Sequence, residues 1–302
     1  MKADDCSIED HDRKVIRKQA DLLLRRASAY GRFPTPIPDL VKAAELEVET
    51  EMAFDEQGIG ELYRVLPNNQ KLNVEVLKKA IGKVEGILHR EDKTIFIDKT
   101  LHKSRQKFLT LHEVGHHDLP WQKSSFKILE DSEGELDEST RDQFEREANC
   151  FASDVWFQLD TFTSDARDSD FGIGPPIKLL TKRYGTSCYS TLRRYVNVYG
   201  RASALVVCDV DKSTTGSLTV RRILESSEFL QQLGSLTLPS RLGPESFFYR
   251  NMPVNKFRMP TPWIFERQGH HPVACMVEAY NSTKQIFFLV YPVKSNGIAI
   301  SS

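Results

Sequence analysis

The chain has 302 residues, 40% hydrophobic and 27% charged, with 41 Lys+Arg against 42 Asp+Glu and a net charge of −1. That length admits two domains with a core in each, and the even balance excludes a protein held to nucleic acid or anionic membrane by its overall charge. No apolar run approaches the ~18 residues a membrane span needs, and the acidic start Met1-Lys2-Ala3-Asp4-Asp5 lacks a signal peptide's apolar core, so a cytoplasmic protein is expected.

Charge is unevenly placed. Residues 201–302 hold eleven Lys+Arg and seven Asp+Glu, a balance of +4, which leaves −5 for residues 1–200. A mildly basic C-terminal part can attract an anion or a nucleic acid, although such a difference often carries no function. The five cysteines, Cys6, Cys150, Cys188, Cys208 and Cys275, include no Cys-x-x-Cys pair. They suit a reducing compartment better than a disulfide framework or a structural zinc knuckle.

In chain order, Ile16, Ala20, Leu23 and Ala27 recur at helical spacing and predict an amphipathic helix over 9–30. The run Phe33-Pro34-Thr35-Pro36-Ile37-Pro38 reads as non-helical. Asp39 then offers an N-cap for a short helix to Leu46, and Val48 begins a strand. Residues 55–70 are turn-rich, and Asn73 caps a helix from Val74 to about Gly82. Val84–His89 and Thr94–Asp98 form a hairpin across Arg90-Glu91-Asp92-Lys93. An extended peptide can add to the edge of such a sheet through main-chain hydrogen bonds, and a purely structural hairpin fits equally well.

The helix predicted over 103–117, with Pro120 at or just beyond its end, carries His112-Glu113-Val114-Gly115-His116. Four-residue spacing puts both imidazoles on one helix face, one turn apart, where two ring nitrogens reach one zinc ion. Glu113 is turned about 100° away and is placed to exchange a proton with water there without being a ligand. This is the layout of a zinc hydrolase, with a third ligand from elsewhere and a glutamate as general base. His117 lies off the ligand face. The acidic residues 130–139 read as an exposed loop.

A second helix, from about Thr140 to Leu159, is expected to supply the third ligand. Phe144, Ala148, Phe151, Ala152 and Val155 share one face. Glu145 sits at the edge of that face and Glu147 points nearly opposite, to solvent, so Glu145 is the expected ligand. Asn149, one turn on, is expected to hydrogen-bond a histidine or the carboxylate from behind.

Residues 164–176 read as a hinge or loop. Ile177–Tyr184 and a helix capped by Thr186 or Ser187 and running to about Tyr199 form a pair around Gly185, with Leu179, Leu180, Leu192, Tyr195 and Val196 between them. Arg193 and Arg194 are expected to be exposed. The pair has a helix-turn-helix pattern, although two arginines alone do not make a DNA reader. Beyond Ala202, Leu205–Cys208, Ser217–Arg222, Val273–Val277 and Ile286–Tyr291 read as strands and Glu225–Gly234 as a helix, an α+β region with a mainly antiparallel sheet. His270 and His271 suggest a turn.

Phe108-Leu109-Thr110-Leu111-His112-Glu113-Val114-Gly115-His116, followed in register by Glu145-Arg146-Glu147-Ala148-Asn149-Cys150-Phe151-Ala152, resembles the ImmA/IrrE family of zinc metallopeptidases over roughly residues 15–200. The resemblance implies an α+β chain in three parts: a mainly helical zincin-like peptidase domain with a small sheet (1–163), a linker and helix-turn-helix-like pair (164–200), and a GAF-like sensor domain (201–302). It implies Zn2+ held by His112, His116 and Glu145, with Glu113 catalytic. It also implies limited cleavage of a helix-turn-helix transcriptional repressor, switching on DNA-damage, mobile-element or phage-defence genes, with single-stranded DNA as activator in some members. Val155-Trp156-Phe157-Gln158 stands where the family usually has a Leu-Leu-Met-Pro-like run, which bears on the substrate groove. The alternative is a DNA-binding or signal-sensing regulator whose metal site is not hydrolytic; a zinc capped by one of the five cysteines at rest is a further expectation to test.

Overall fold

The computed structural model describes residues 7–55, 85–125, 136–210, 216–267 and 269–293. The helix expected over 74–82, most of the turn-rich segment 55–70, residues 130–135 of the acidic stretch, Val84 and Cys6 lie outside these. The chain is α+β and divides into two compact units, Met1–Thr161 and Phe162–Ser302.

The first unit begins with α1 (Asp10–Arg26), whose Asp10 and Asp12 in the first turn and Arg25 and Arg26 in the last complement the helix dipole. Its buried stripe of Ile16, Ala20, Leu23 and Leu24 joins a core with Leu40, Ile95, Ile97, Leu111, Val114, Phe151 and Val155. Helix α2 (Ile37–Ala43) starts inside the proline run that was expected to be non-helical. Pro38 occupies its first turn, where a missing N–H costs nothing. Asp39 therefore lies within the helix rather than capping it, and it pairs with Arg32 at 2.6 Å. Strands β1 (Glu47–Glu49), β2 (Gly86–His89) and β3 (Thr94–Ile97) form a sheet in the order β1-β3-β2. β1 runs parallel to β3 and β2 antiparallel, so among the described residues β2 is an edge strand.

Two longer helices complete this unit. Helix α3 (Lys103–Asp118) is capped by His102, and α4 (Glu138–Trp156) by Asp137, which accepts from Thr140 N at 3.0 Å. Part of the acidic stretch is thus helix and cap rather than loop. Pro120 lies just beyond the end of α3, as expected, and opens a further helical stretch over residues 120–125, in the position a first turn tolerates.

Helix α5 (Asp160–Arg167) extends into the segment expected to be loop, so irregular chain begins only at 168. In the second unit a π-helical turn (Pro176–Leu180) runs into α6 (Thr181–Tyr184). Gly185 takes a left-handed φ of 66°, and Ser187 caps α7 (Cys188–Val198) by accepting from Ser190 N. The antiparallel sheet has the order β6-β5-β4-β9-β8-β7, from β4 (Ala204–Val210), β5 (Leu218–Glu225), β6 (Arg241–Leu242), β7 (Phe257–Arg267), β8 (His270–Asn281) and β9 (Gln285–Pro292). Period-two alternation divides the central strands between two cores. Val206, Cys208, Phe288 and Val290 pack with α8 (Ser227–Leu233) and α9 (Phe247–Arg250), while Leu205, Val207, Phe287 and Leu289 pack with Leu192 and Val196 of α7.

This packing corrects several expectations. Leu179 is 59% exposed, not between the helices, and Arg194 is only 6% exposed, not displayed. The helix pair lies on the sheet by the face that carries Leu192 and Val196, and Arg194, roughly half a turn away, is buried as well. Glu225 closes β5 rather than opening a helix, and Ser226 caps α8 through Phe229 N. The long β7 was not foreseen because Pro260 and Pro262 interrupt its pattern; an edge strand tolerates both.

Burial pushes the Cys208 thiol up to about 12, helped by the Asp209 charge, and Cys275 up to about 11. Both should stay protonated and unreactive in the native protein at pH 8. Alkylation followed by mass spectrometry should leave both unmodified until denaturant is added; labelling at the denatured rate would contradict this packing.

Candidate metal centre

The i,i+4 spacing on α3 places His112 and His116 side by side, each 7% exposed, with their Nε2 atoms 3.0 Å apart. Glu145 on α4 reaches the same point: its Oε2 lies 3.3 Å from His112 Nε2 and its Oε1 3.5 Å from His116 Nε2. The three ligand atoms lie within 4.8 Å of one another. This meeting depends on a close helix crossing. A Cβ at Gly115 would stand 3.1 Å from Phe151 Cδ1 and 3.3 Å from the Ala148 Cα, so any larger residue would make Phe151 or α4 give way by a few tenths of an ångström.

The spacings fit zinc. Two donors each about 2.05 Å from a tetrahedral ion stand about 3.3 Å apart, against 3.0, 3.3 and 3.5 Å here. The local field also favours a cation. Burial works to raise the Glu145 carboxyl, yet hydrogen bonds from His112 and His116 outweigh it and hold it well below the usual carboxylate range. Burial likewise pushes the His116 ring down, and the Glu145 hydrogen bond with the charges of Glu113 and Glu145 overcomes it and raises the ring. Among the described residues the group of side chains able to hold a metal contains no cysteine.

Glu113 is 9% exposed. Its carboxylate lies against β2, where a Cβ at Gly86 would stand 3.1 Å from Glu113 Oε1 and from Ile97 Cδ1. The bare Gly86 thus makes the room in which this side chain sits beside an edge strand.

Behind the two histidines, Asn149 Oδ1 lies 3.1 Å from His112 Nδ1 and Gln122 Oε1 lies 2.7 Å from His116 Nδ1. Sequence reasoning did not find Gln122, because only tertiary folding carries residues 120–125 back over α4. The same fold corrects Glu147. Expected in solvent, it is 2% exposed and accepts from Trp121 Nε1, Gln122 Nε2 and Gln143 Nε2 at 2.7, 2.7 and 2.9 Å. A helical wheel with one buried face could not anticipate that α4 is covered on a second side. His117 is only partly exposed, and burial, then the nearby Lys123, Arg90 and Lys93, lower its ring to about 4.

Residues 69–195 match the family model described as the IrrE N-terminal-like domain, Peptidase_M78. Those 127 of the 302 residues resemble the domain, whose family is one of metallopeptidases, and they include His112, Glu113, His116 and Glu145. Among solved structures, one described as a Mycobacterium tuberculosis transcriptional regulator is similar with a TM-score of 0.53, covering 97% of this chain and 83% of that one at 12% identity. That is a likeness of fold. No curated protein matches the sequence.

Gly115→Val should drive α4 away from α3. Overpacking of this kind costs about 1–3 kcal/mol, and separating Glu145 from the histidines should lower zinc affinity together with the melting temperature. Unchanged zinc affinity in a folded variant would show that the helix crossing does not set the site.

Proposed function

We propose that the chain is a zinc-dependent endopeptidase of the His-Glu-x-x-His, glutamate-liganded (gluzincin-like) kind. In this reading His112, His116 and Glu145 hold the metal and Glu113 is the general base. The observation that carries it is the convergence of two imidazoles and a carboxylate at zinc spacing beside the buried, non-ligand Glu113. When bound, zinc supplies acidified water near neutral pH and polarises the scissile carbonyl. Glu113 would be the group that takes up a proton from the attacking water and returns it to the leaving amine. The substrate lies extended along β2, taking main-chain hydrogen bonds from the edge strand that already touches Glu113. Asn149 holds His112 in place from behind.

The substrate class we infer is a helix-turn-helix transcriptional repressor, cut once to release DNA-damage, mobile-element or phage-defence genes. Support comes from the family resemblance and from a structural neighbour described as a transcriptional regulator. Residues 201–302 would act as a GAF-like sensor, and their +4 balance suits an anionic activator such as single-stranded DNA. A cytoplasmic site of action accords with this substrate. No described helix is long and apolar enough to cross a membrane. The competing reading, a DNA-binding or signal-sensing regulator with a non-hydrolytic metal site, is weakened where it needs α7 as a DNA reader, since Arg194 is buried.

Mapping new protein N-termini in cells expressing wild type or Glu113→Gln tests this directly. One new terminus within a helix-turn-helix repressor, present only with the wild type, is the expected result; identical termini in both would refute cleavage. In the purified protein Glu113→Gln should bind zinc as the wild type does.

Gly86→Val separates the role of Glu113 from that of the ligands. The added side chain presses on the Glu113 carboxylate and on Ile97 Cδ1, with no histidine among the three nearest atoms, so zinc affinity should hold while cleavage falls roughly tenfold or more. Loss of both in parallel would mean that β2 supports the metal site as a whole.

A further inference from the structure

The Glu147–Gln122–His116 chain has no assigned role, and its hydrogen bonds leave it little freedom. Gln122 is fully buried. Its Nε2 donates to the Phe144 carbonyl at 3.1 Å and to Glu147 Oε2 at 2.7 Å. A carbonyl and a carboxylate are acceptors, so both amide hydrogens are committed. The amide oxygen is therefore the atom that faces His116 Nδ1 at 2.7 Å. An oxygen there requires a hydrogen on Nδ1. In the neutral ring Nε2 is then bare, and Nε2 is the atom that faces His112 and Glu145.

Glu147 anchors this arrangement. It accepts from Trp121 on the same oxygen that takes Gln122, and from Gln143 on the other. Trp121 and Gln122 are neighbours in the helical stretch 120–125, so one buried carboxylate both seats that stretch against α4 and sets which way the Gln122 amide points.

We propose that Glu147, although outside the ligand set, is a positioning residue that acts through Gln122 to lock His116 in the Nδ1–H tautomer, with Nε2 presented as a metal donor before any metal arrives. Free imidazole leaves the tautomer open, and a metal must then select it; groups of this kind behind ligating histidines are worth roughly 10–100-fold in metal affinity. The inference rests on the metal-site reading for its consequence and on the hydrogen-bond geometry alone for the tautomer.

The test has two readouts. Nitrogen NMR of 15N-histidine-labelled, metal-free protein, at a pH where the ring is neutral, reads the His116 tautomer. Competition with a chromophoric chelator reads Zn2+ affinity. In the wild type His116 should carry its proton on Nδ1. Gln122→Leu should abolish that preference and weaken zinc roughly 10–100-fold. In Glu147→Gln the residue-147 amide can turn either end to Gln122, so this variant should give a mixed tautomer and a smaller loss; it carries the test if Gln122→Leu fails to fold. A His116 tautomer indifferent to the variants overturns the proposal, whatever the affinity. A wild type that shows the Nδ1–H tautomer but binds no zinc supports the wiring and refutes the metal-site reading instead.

Discussion

The close crossing of α3 and α4 at Gly115 and Ala148 is the constraint on which the first unit depends. A side chain at residue 115 would meet Phe151 and the Ala148 backbone, and Phe151 or α4 would have to give way. Glu145 lies less than one helical turn before that crossing, so the backbone approach sets its distance to the histidines. The apolar contacts around the crossing, with Leu111, Val114, Phe151 and Val155 in one core, hold two helices rigidly enough for three polar groups to meet. Packing thus supplies the precision that the polar groups do not.

Those polar groups lose hydration on assembly, since two buried imidazoles and a carboxylate come within 4.8 Å of one another. Their mutual attraction outweighs burial at both ends: the histidines hold the Glu145 carboxyl low, and the carboxylates of Glu113 and Glu145 raise His116. Buried hydrogen bonds behind the histidines add to this, through Asn149 on one and Gln122 and Glu147 on the other.

What was legible in the sequence was local. The His112–His116 spacing, the hairpin of β2 and β3, the Gly185 turn and the Ser187 cap all follow from periodicity and turn chemistry within a few residues. The convergence of Glu145 on the histidines needed the apolar face of α4 to be read correctly, and that face was plain. Glu147 and Arg194 were misread for a shared reason: each is buried on a side of its helix that the wheel leaves polar, and a wheel sees only its own helix. Leu179 was misread the other way, an apolar side chain left 59% exposed. The strand of residues 257–267 was hidden by prolines that matter only if the strand is central. The helix beginning at Ile37 was hidden by a proline that a first turn accepts.

The central claim is that these residues form a zinc site of two nitrogens and a carboxylate. X-ray absorption at the zinc edge of the purified, resting full-length protein tests it most directly. The account predicts a shell of nitrogen and oxygen donors near 2.0–2.2 Å with two imidazole signatures, and one signature fewer in His116→Ala. A sulfur donor near 2.3 Å, or a zinc shell unaffected by His116→Ala, would contradict it.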